Sequence, residues 1–161
     1  MQIRSAETAG FCFGVERAVS LAEQTAKSCA SAVTLGPIIH NRHVVERFEA
    51  MGLREIARAE DAQPGQTVVV RAHGIPVSEQ QTLAARGAKL VDATCPFVKK
   101  IHVIARQAEE AGRHLLIIGT PTHPEIIAIA SFSSDAHVFQ SAEALETWLT
   151  ECPERRDLPF C

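Results

Sequence analysis

The feature that most constrains this chain is a cysteine placed between a short strand and a helix, within residues 91–100, VDATCPFVKK. The apolar residues before it predict a strand, and from Pro96 to Gly112 apolar residues recur at the three- and four-residue steps of a helix. Proline is favoured at the first helical position, so Pro96 predicts the helix start and makes Cys95 its N-cap. A thiol there meets unpaired N–H groups and the positive end of the helix dipole, which favour the thiolate that binds metals or attacks electrophiles.

A second copy of this arrangement occurs near the start of the chain. Residues 10–14, GFCFG, predict a turn around Cys12; a weak strand is predicted before it, over residues 3–6, and a helical stripe after it. The two cysteines are 83 residues apart (95 minus 12), and each is followed by valine three residues on and then by a charged pair. The match predicts an internal repeat. We expect a third copy at similar spacing to lie beyond residue 161.

Strands and helices alternate along the whole chain. Apolar runs predict strands at 32–35, 53–56, 67–70, 89–91, 114–118 and 136–139, with helical stripes between them. This alternation predicts an α/β fold with mostly parallel sheets. We divide the chain at Ala88 into a first α/β lobe, residues 1–87, which carries Cys12, and a second lobe, residues 88–161, which carries Cys95.

Composition excludes several classes of function. The net charge of -3 and an aromatic content of 5% without tyrosine argue against a nucleic-acid-binding surface. Charged residues interrupt the first twenty positions, where a signal peptide needs an apolar core, and no apolar run has the length of a membrane span. We therefore expect a cytoplasmic protein without a membrane partner, in which the five cysteines are reduced, metal-bound or catalytic.

Three histidines share one sequence context. His40, His73 and His123 each follow a predicted strand, in a loop with glycine or proline. Ligands bind at the carboxyl ends of strands in open α/β sheets, so we expect these side chains to converge with the two cysteines on one cleft. Imidazoles suit a phosphorylated anion, and neutral imidazoles equally suit a metal. The other four histidines are expected to be structural: His43, His102, His114 and His137.

Glu125 and the cysteines have alternative interpretations. A carboxylate such as Glu125 near a helix start commonly compensates the dipole, but beside histidines it can pass a proton to a substrate. Cys29 and Cys152 are expected to be small buried side chains. Two thiolates are too few for a structural zinc site or an iron–sulfur cubane, and a third repeat would supply one more.

The motifs resemble a known family when they are taken together. They are GFCFGV with RAV at 10–19, GPIIHN at 36–41, RAHGIP at 71–76, DATCP at 92–96 with Lys100 and His102, and HPE at 123–125. Their order and spacing are similar to those of 4-hydroxy-3-methylbut-2-enyl diphosphate reductase, the last enzyme of the non-mevalonate isoprenoid route. The resemblance runs from end to end of the chain and corresponds to roughly the first half of a typical member.

The resemblance implies an architecture and a reaction. It implies three α/β lobes in a pseudo-threefold arrangement around a [4Fe-4S] cluster, of which this chain forms the first and most of the second. Cys12 and Cys95 would then be cluster ligands, and His40, His73 and His123 would bind an allylic diphosphate substrate. Glu125 would supply a proton, and ferredoxin or flavodoxin would supply electrons. The products would be isopentenyl and dimethylallyl diphosphate.

This sequence departs from the family pattern at three places. The family's third cysteine motif has no counterpart in this chain, and we do not expect Cys161 to replace it, because it lies only 66 residues after Cys95 (161 minus 95). Ala128 and Ser131 stand where the family usually has glycine, so the turn after Glu125 is expected to be altered. We therefore expect a truncated form, inactive alone.

Two other functions fit the same residues. One is a non-enzymatic remnant with an anion- or zinc-binding cleft, in which Cys12, Cys95 and one histidine hold zinc. The other is a thiol-redox protein, which is less favoured because the sequence has no Cys-x-x-Cys pair.

Overall fold

The chain forms two parallel β-sheets with helices packed on them. A computed structural model describes residues 2–4, 6–7 and 9–161. Its helices are α1 Phe13–Ser28, α2 Arg42–Ala50, α3 Val77–Ala85, α4 Pro96–Glu110, α5 Pro124–Ala130 and α6 Ala142–Glu151. Its strands are β1 Ala32–Leu35, β2 Arg54–Ile56, β3 Thr67–Val70, β4 Lys89–Asp92, β5 Leu115–Ile118 and β6 Ala136–Phe139. The predicted α/β class with parallel sheets is confirmed.

The strands form one sheet of four and one of two. The larger sheet has the order β2-β1-β3-β4, and β5 pairs with β6 in the smaller. Every pairing between these strands is parallel, as helical crossovers require. β4 hydrogen-bonds to β3, so the first sheet extends one strand past residue 88. The lobe boundary placed there by sequence stays a prediction.

The larger sheet has a core on each face. Val69 packs with residues of α1 and α2, including Ala18 and Phe48, on one face. Val68 and Val70 pack with Leu83 of α3 on the other face, because successive side chains of a strand point to opposite sides. Burying each such valine, leucine or phenylalanine side chain stabilises the fold by roughly 1.5–3 kcal/mol. The central strands β1 and β3 are buried throughout, which explains their continuous apolar sequence.

Helix α4 contributes to a third core beside the smaller sheet. Its buried positions are Val98, His102, Ala105 and Ala108. The helical spacing of Val98, Ile101, Ala105 and Ala108 predicts that Ile101 belongs to this stripe, and that prediction is wrong, because the Ile101 side chain is 40% exposed. The buried stripe passes through His102 instead, and its ring stacks on Phe132 with the centroids 4.6 Å apart.

Two local predictions near helix starts are also wrong. The strand expected over residues 3–6 is not formed at residues 3, 4 and 6, and residue 5 lies outside the described residues. Ser78 and Gln81 have the spacing of a capping box and predict the start of α3, but they do not cap it, because that helix already begins at Val77. The Val77 N–H instead donates to the Ser131 Oγ at 3.0 Å, so a residue distant in sequence takes the capping role.

Hydrogen bonds continue past the ends of the strands and order the loops that follow. The Ala72 N–H donates to the Ile38 carbonyl at 3.1 Å, and the Cys95 N–H donates to the Ala72 carbonyl at 2.9 Å. The loops after β1, β3 and β4 therefore lie side by side at one edge of the sheet. Within the described ranges, no helix is long and apolar enough to cross a membrane.

Candidate functional site

Each of the two cysteines immediately precedes a long helix. Cys12 is the N-cap of α1 and Cys95 is the N-cap of α4, and both have φ and ψ outside the helical region. Neither side chain makes a capping hydrogen bond, so both sulfur atoms stay available to a ligand. Cys12 is exposed and Cys95 is half-buried. The two copies of the sequence repeat thus share a cysteine at a helix N-cap, although among the described residues a strand precedes only Cys95.

The two cysteine turns pack against each other. Gly14 is buried, and a Cβ added to it would overlap the Cys95 Sγ and lie 3.2 Å from the Cys95 Cβ. The start of α1 therefore touches the cysteine that begins α4. Arg17 joins the same two segments, since its guanidinium donates to the carbonyls of Thr94 at 3.2 Å and Asp92 at 3.4 Å.

The three loop histidines come together at the same edge. Ring centroids of His40 and His73 are 4.7 Å apart, those of His73 and His123 are 5.6 Å apart, and those of His40 and His123 are 6.2 Å apart. One nitrogen from each ring lies within 4.8 Å of the others. These distances let a single small anion or metal ion contact all three imidazoles. His73 directly follows Ala72, which accepts the hydrogen bond from Cys95, so the imidazoles adjoin the cysteine turns.

His73 is the most enclosed of the three imidazoles. Its Nδ1 is buried without a hydrogen-bond partner among the described residues. Burial lowers the pKa of His73 to about 4, and the nearby His40, His123 and Arg71 act in the same direction. The ring is therefore neutral near pH 7. A buried nitrogen without a partner is costly, so this atom is a candidate contact for a ligand.

The backbone orients His123. The Glu125 N–H donates to the His123 Nδ1 at 3.2 Å, so in the neutral ring the proton resides on Nε2. That nitrogen is then the donor left for a ligand. Glu125 lies half-buried in the first turn of α5, two residues after His123. The Glu125 backbone thus contacts the His123 ring, and the role assigned to the Glu125 carboxylate stays a prediction.

Two glycines let supporting side chains reach the histidine loops. Gly74, at φ +79°, lies so close to His102 that an added Cβ would be 2.6 Å from its Cε1. Gly36, at φ +68°, lies equally close to Arg71, since an added Cβ would be 2.7 Å from a guanidinium nitrogen. The Arg71 Nε donates to the Gly74 carbonyl at 3.1 Å. His102 is only 8% exposed, and its ring packs against Gly74 in the loop that carries His73. Arg71 and Arg17 both lie inside the sequence motifs, although the motif pattern alone predicted no role for either.

A separate cleft of about 260 Å³ lies next to the Cys95 turn. It is lined by residues that include Asp92, Lys99 and His102, and it shares none with the group formed by His40, His73 and His123.

The remaining sequence assignments lie away from this edge. Cys161 pairs beside the start of β5, where its carbonyl accepts from the Leu116 N–H, whereas His123 follows the other end of that strand. Cys29 packs at the border of the first core, and its thiol donates to the Thr67 Oγ1 at 3.3 Å.

The segment after Glu125 forms an ordinary helix. Ala128 is fully buried within α5 and Ser131 is its C-cap, with right-handed backbone. The Ser131 hydroxyl donates to the Ala128 carbonyl at 2.7 Å and accepts from Val77. These two residues therefore fit the helix without the positive φ that glycine would permit.

Together, the fold and the site define a class of α/β protein. In this class, the loops after the strands bring three imidazoles together, next to two helices that each have a cysteine as the N-cap residue. The family model for LytB protein matches residues 3–156. The chain belongs to this family. The chain spans about half the length of the curated relatives that it matches.

Relatives and solved structures agree with this assignment. The 4-hydroxy-3-methylbut-2-enyl diphosphate reductase of Oleidesulfovibrio alaskensis is 46% identical over 149 residues, which are 91% of this chain and 53% of that protein. The Aquifex aeolicus reductase is 43% identical over 128 residues, which are 79% of this chain and 44% of that protein. A solved reductase described as the terminal enzyme of the non-mevalonate pathway has a TM-score of 0.77 at 38% identity, and covers 90% of this chain and 53% of its own. The Plasmodium falciparum reductase has a TM-score of 0.83 at 26% identity, with 87% and 45% covered.

Proposed function

We propose that this chain supplies two cluster ligands and the diphosphate-binding histidines of a 4-hydroxy-3-methylbut-2-enyl diphosphate reductase. The observation that carries the proposal is the packing of the two cysteine turns against each other, next to the loop of His73. Family membership and the similarity to solved reductases support it. The two lobes that the sequence pattern predicts, 1–87 and 88–161, are part of the proposal.

The residues present suit an iron–sulfur cluster in part. Cys12 and Cys95 offer thiolates that no capping hydrogen bond engages, and Gly14 keeps the space beside the Cys95 sulfur free of a side chain. Cubane clusters are held by cysteine thiolates. When bound, the cluster supplies electrons and an iron position open to the substrate oxygen. The third ligand implied by the resemblance has no counterpart among the five cysteines of this sequence.

The imidazoles bind the diphosphate in this proposal. The His123 Nε2–H donates to the diphosphate in this proposal, and the unpartnered Nδ1 of His73 is the second nitrogen that contacts it. An anion next to His73 favours the protonated ring, which turns that nitrogen into a second donor. His40 and His123 are the exposed members of the group, and His73 is the partly buried one. Charge-assisted hydrogen bonds of this kind are about twice as strong as neutral ones.

Glu125 delivers a proton to the leaving hydroxyl. The reaction breaks the allylic C–O bond, and two electrons and two protons convert the substrate into water and either isopentenyl or dimethylallyl diphosphate. The position of Glu125 two residues after His123 brings an acid to the same ligand. The electrons come from ferredoxin or flavodoxin, and the protein acts in the cytoplasm.

Reconstitution tests the cluster part of the proposal. The chain is purified without air, supplied with iron and sulfide, and examined by absorption and electron paramagnetic resonance spectroscopy. We expect a labile cluster that is lost in Cys12→Ser and in Cys95→Ser. Cys152→Ser is the matched control, because this half-buried cysteine has no role in the site and should leave the yield unchanged. Equal cluster yield in all three variants would contradict the proposed ligands.

An assay of the chain alone tests whether residues 1–161 suffice for turnover. We expect negligible reduction of 4-hydroxy-3-methylbut-2-enyl diphosphate, because matched relatives are about twice as long and the third ligand is not supplied by this sequence. Robust turnover by this chain would contradict that reasoning and leave the family assignment intact.

A second candidate function is an anion- or zinc-binding cleft without redox activity. The observation that favours it is the convergence of the nitrogens of His40, His73 and His123 within 4.8 Å, with His73 neutral as a metal ligand must be. Zinc that depends on these imidazoles, without iron or sulfide, in protein purified without air would favour this function. Zinc that is lost in His73→Gln would locate it at these imidazoles.

A further inference from the structure

A second group of ligating side chains lies on the small sheet, away from the edge already described. Its members are His114, Asp135 and His137, and one ligand atom from each lies within 4.8 Å of the others. His114 Nδ1 is 2.6 Å from Asp135 Oδ2, and His137 Nε2 is 2.9 Å from Asp135 Oδ1. We propose that these three side chains form a zinc-binding site.

The sheet register brings the three residues together. His114 directly precedes β5 and His137 lies in β6, opposite Leu116. Alternation along a strand places residues 114 and 116 on one face, and residues 135 and 137 on the same face of the neighbouring strand. The Leu115 N–H donates to the Asp135 carbonyl at 3.0 Å, which fixes the carboxylate beside His114. The site is therefore built by rigid strand pairing.

The turn that carries Asp135 is also held in place. Glu109 of α4 accepts from the Ser134 N–H at 2.8 Å and from the Ser134 hydroxyl at 2.7 Å. The Ser133 hydroxyl donates to the same carboxylate at 3.1 Å and accepts from the Asp135 N–H at 3.3 Å. The backbone that carries Asp135 is thus fixed from both sides of the turn, as a preorganised ligand requires.

His114 Nδ1 and Asp135 Oδ2 form a close pair within the group. They lie 2.6 Å apart, and the buried nitrogen has no other partner among the described residues. An imidazole nitrogen and a carboxylate oxygen are both atoms that zinc binds. Two ligand atoms on one tetrahedral zinc lie roughly 3.3 Å apart, so zinc binding requires this pair to separate by less than about 1 Å.

The donor set and its surroundings select the metal. Two imidazoles and one carboxylate are the ligands of open zinc sites, which keep a fourth position for water. The side chains are 22% exposed at His114, 31% at His137 and 48% at Asp135, so an ion can enter from solvent. Trp148 packs on His137 with centroids 4.9 Å apart, and Phe160 lies 5.9 Å from His114. These aromatic contacts restrict the orientation of the two imidazole rings.

Zinc titration of the full chain tests this site separately from the other histidine group. The metal-free protein is titrated with zinc by calorimetry, and the stoichiometry is compared among single variants. We expect Asp135→Asn and His137→Gln each to lose one zinc equivalent, or at least about 100-fold in zinc affinity. Removing a residue that only hydrogen-bonds to a metal ligand already lowers metal affinity about 10–100-fold, and removing a ligand itself should lower it at least as much. His73→Gln should retain this zinc, and the exposed His43→Gln is the matched control.

Cobalt substitution identifies the ligand atoms. We expect the Co²⁺ bound by this group to show no thiolate charge-transfer band, and we expect its visible absorption to be lost in Asp135→Asn and kept in His73→Gln. The amide in that variant keeps the shape of the carboxylate, and circular dichroism will verify that it folds. Failure of the parent to bind zinc, or equal zinc binding in the parent, Asp135→Asn and His137→Gln, would overturn the proposal and show that the group is only an ion-pair network. Neither outcome bears on the proposed reductase function.

Discussion

The neutral state of His73 predicts a specific pH dependence of anion binding. The perturbation is a change from about pH 7.5 to about pH 5, applied to the parent chain and to His73→Asn. The probe is sulfate, which stays fully ionised over this range. In the free protein, burial and the neighbouring imidazoles lower the pKa of His73 to about 4. A bound anion favours the protonated ring, so anion binding and proton uptake by His73 are coupled.

The size of the effect follows from how far the pKa of His73 is lowered. If the anion restores that pKa from about 4 to its ordinary 6.5, linkage makes binding about 30-fold tighter at pH 5 than at pH 7.5. Because His73 is half-buried and partly screened by solvent, we expect about 10-fold and treat 30-fold as the upper bound. The sign is fixed, since affinity must rise as pH falls through the window between the two pKa values.

Calorimetric titration with sulfate at constant ionic strength measures this dependence. The other two imidazoles are present in both proteins, so the difference between the parent and His73→Asn isolates the contribution of His73. His43→Asn is the control, because His43 is an exposed histidine outside the group. If the parent and His73→Asn show the same change of affinity with pH, His73 does not contact the anion, and the reasoning from its unpartnered nitrogen is refuted.

Three further predictions concern stability and the cysteine turns. The unfolded chain binds a proton on His73 that the folded chain excludes, so the free energy of unfolding should fall by about 1–2 kcal/mol as pH drops from 6.5 to 4. Urea unfolding of the parent and His73→Asn measures it, and identical pH profiles would contradict it. Gly14→Ala should lower the free energy of unfolding by about 1–3 kcal/mol and reduce the cluster yield, because the new Cβ overlaps the Cys95 sulfur. Its control is Gly112→Ala, because Gly112 has φ +62° but no neighbouring atom of the described residues within 4 Å of an added Cβ; this variant should lower the free energy of unfolding by about 1 kcal/mol without affecting iron binding. Arg17→Met removes two hydrogen bonds to the loop before Cys95 and should cost about 1–2 kcal/mol in urea unfolding; an unchanged midpoint would show that the two turns are held by packing alone.

Local sequence determined the elements that carry the site. Pro96 after Cys95 defines the start of α4, because proline fits the first helical turn and cannot extend a helix backwards. Continuous apolar runs specify the buried strands β1 and β3. Since parallel strands end at one edge, the position of His40 and His73 just after such strands was enough to predict that their loops meet.

Only the tertiary structure decided which residues complete and surround that site. The burial that lowers the pKa of His73 depends on packing from several loops, and no local pattern encodes it. Ser131 caps α3 from 54 residues away, and β4 joins the first sheet because its backbone pairs with β3. His114 and His137 have the sequence appearance of structural histidines, and strand register alone brings them to one carboxylate. Sequence patterns report short-range preference, whereas these contacts join residues that are distant along the chain.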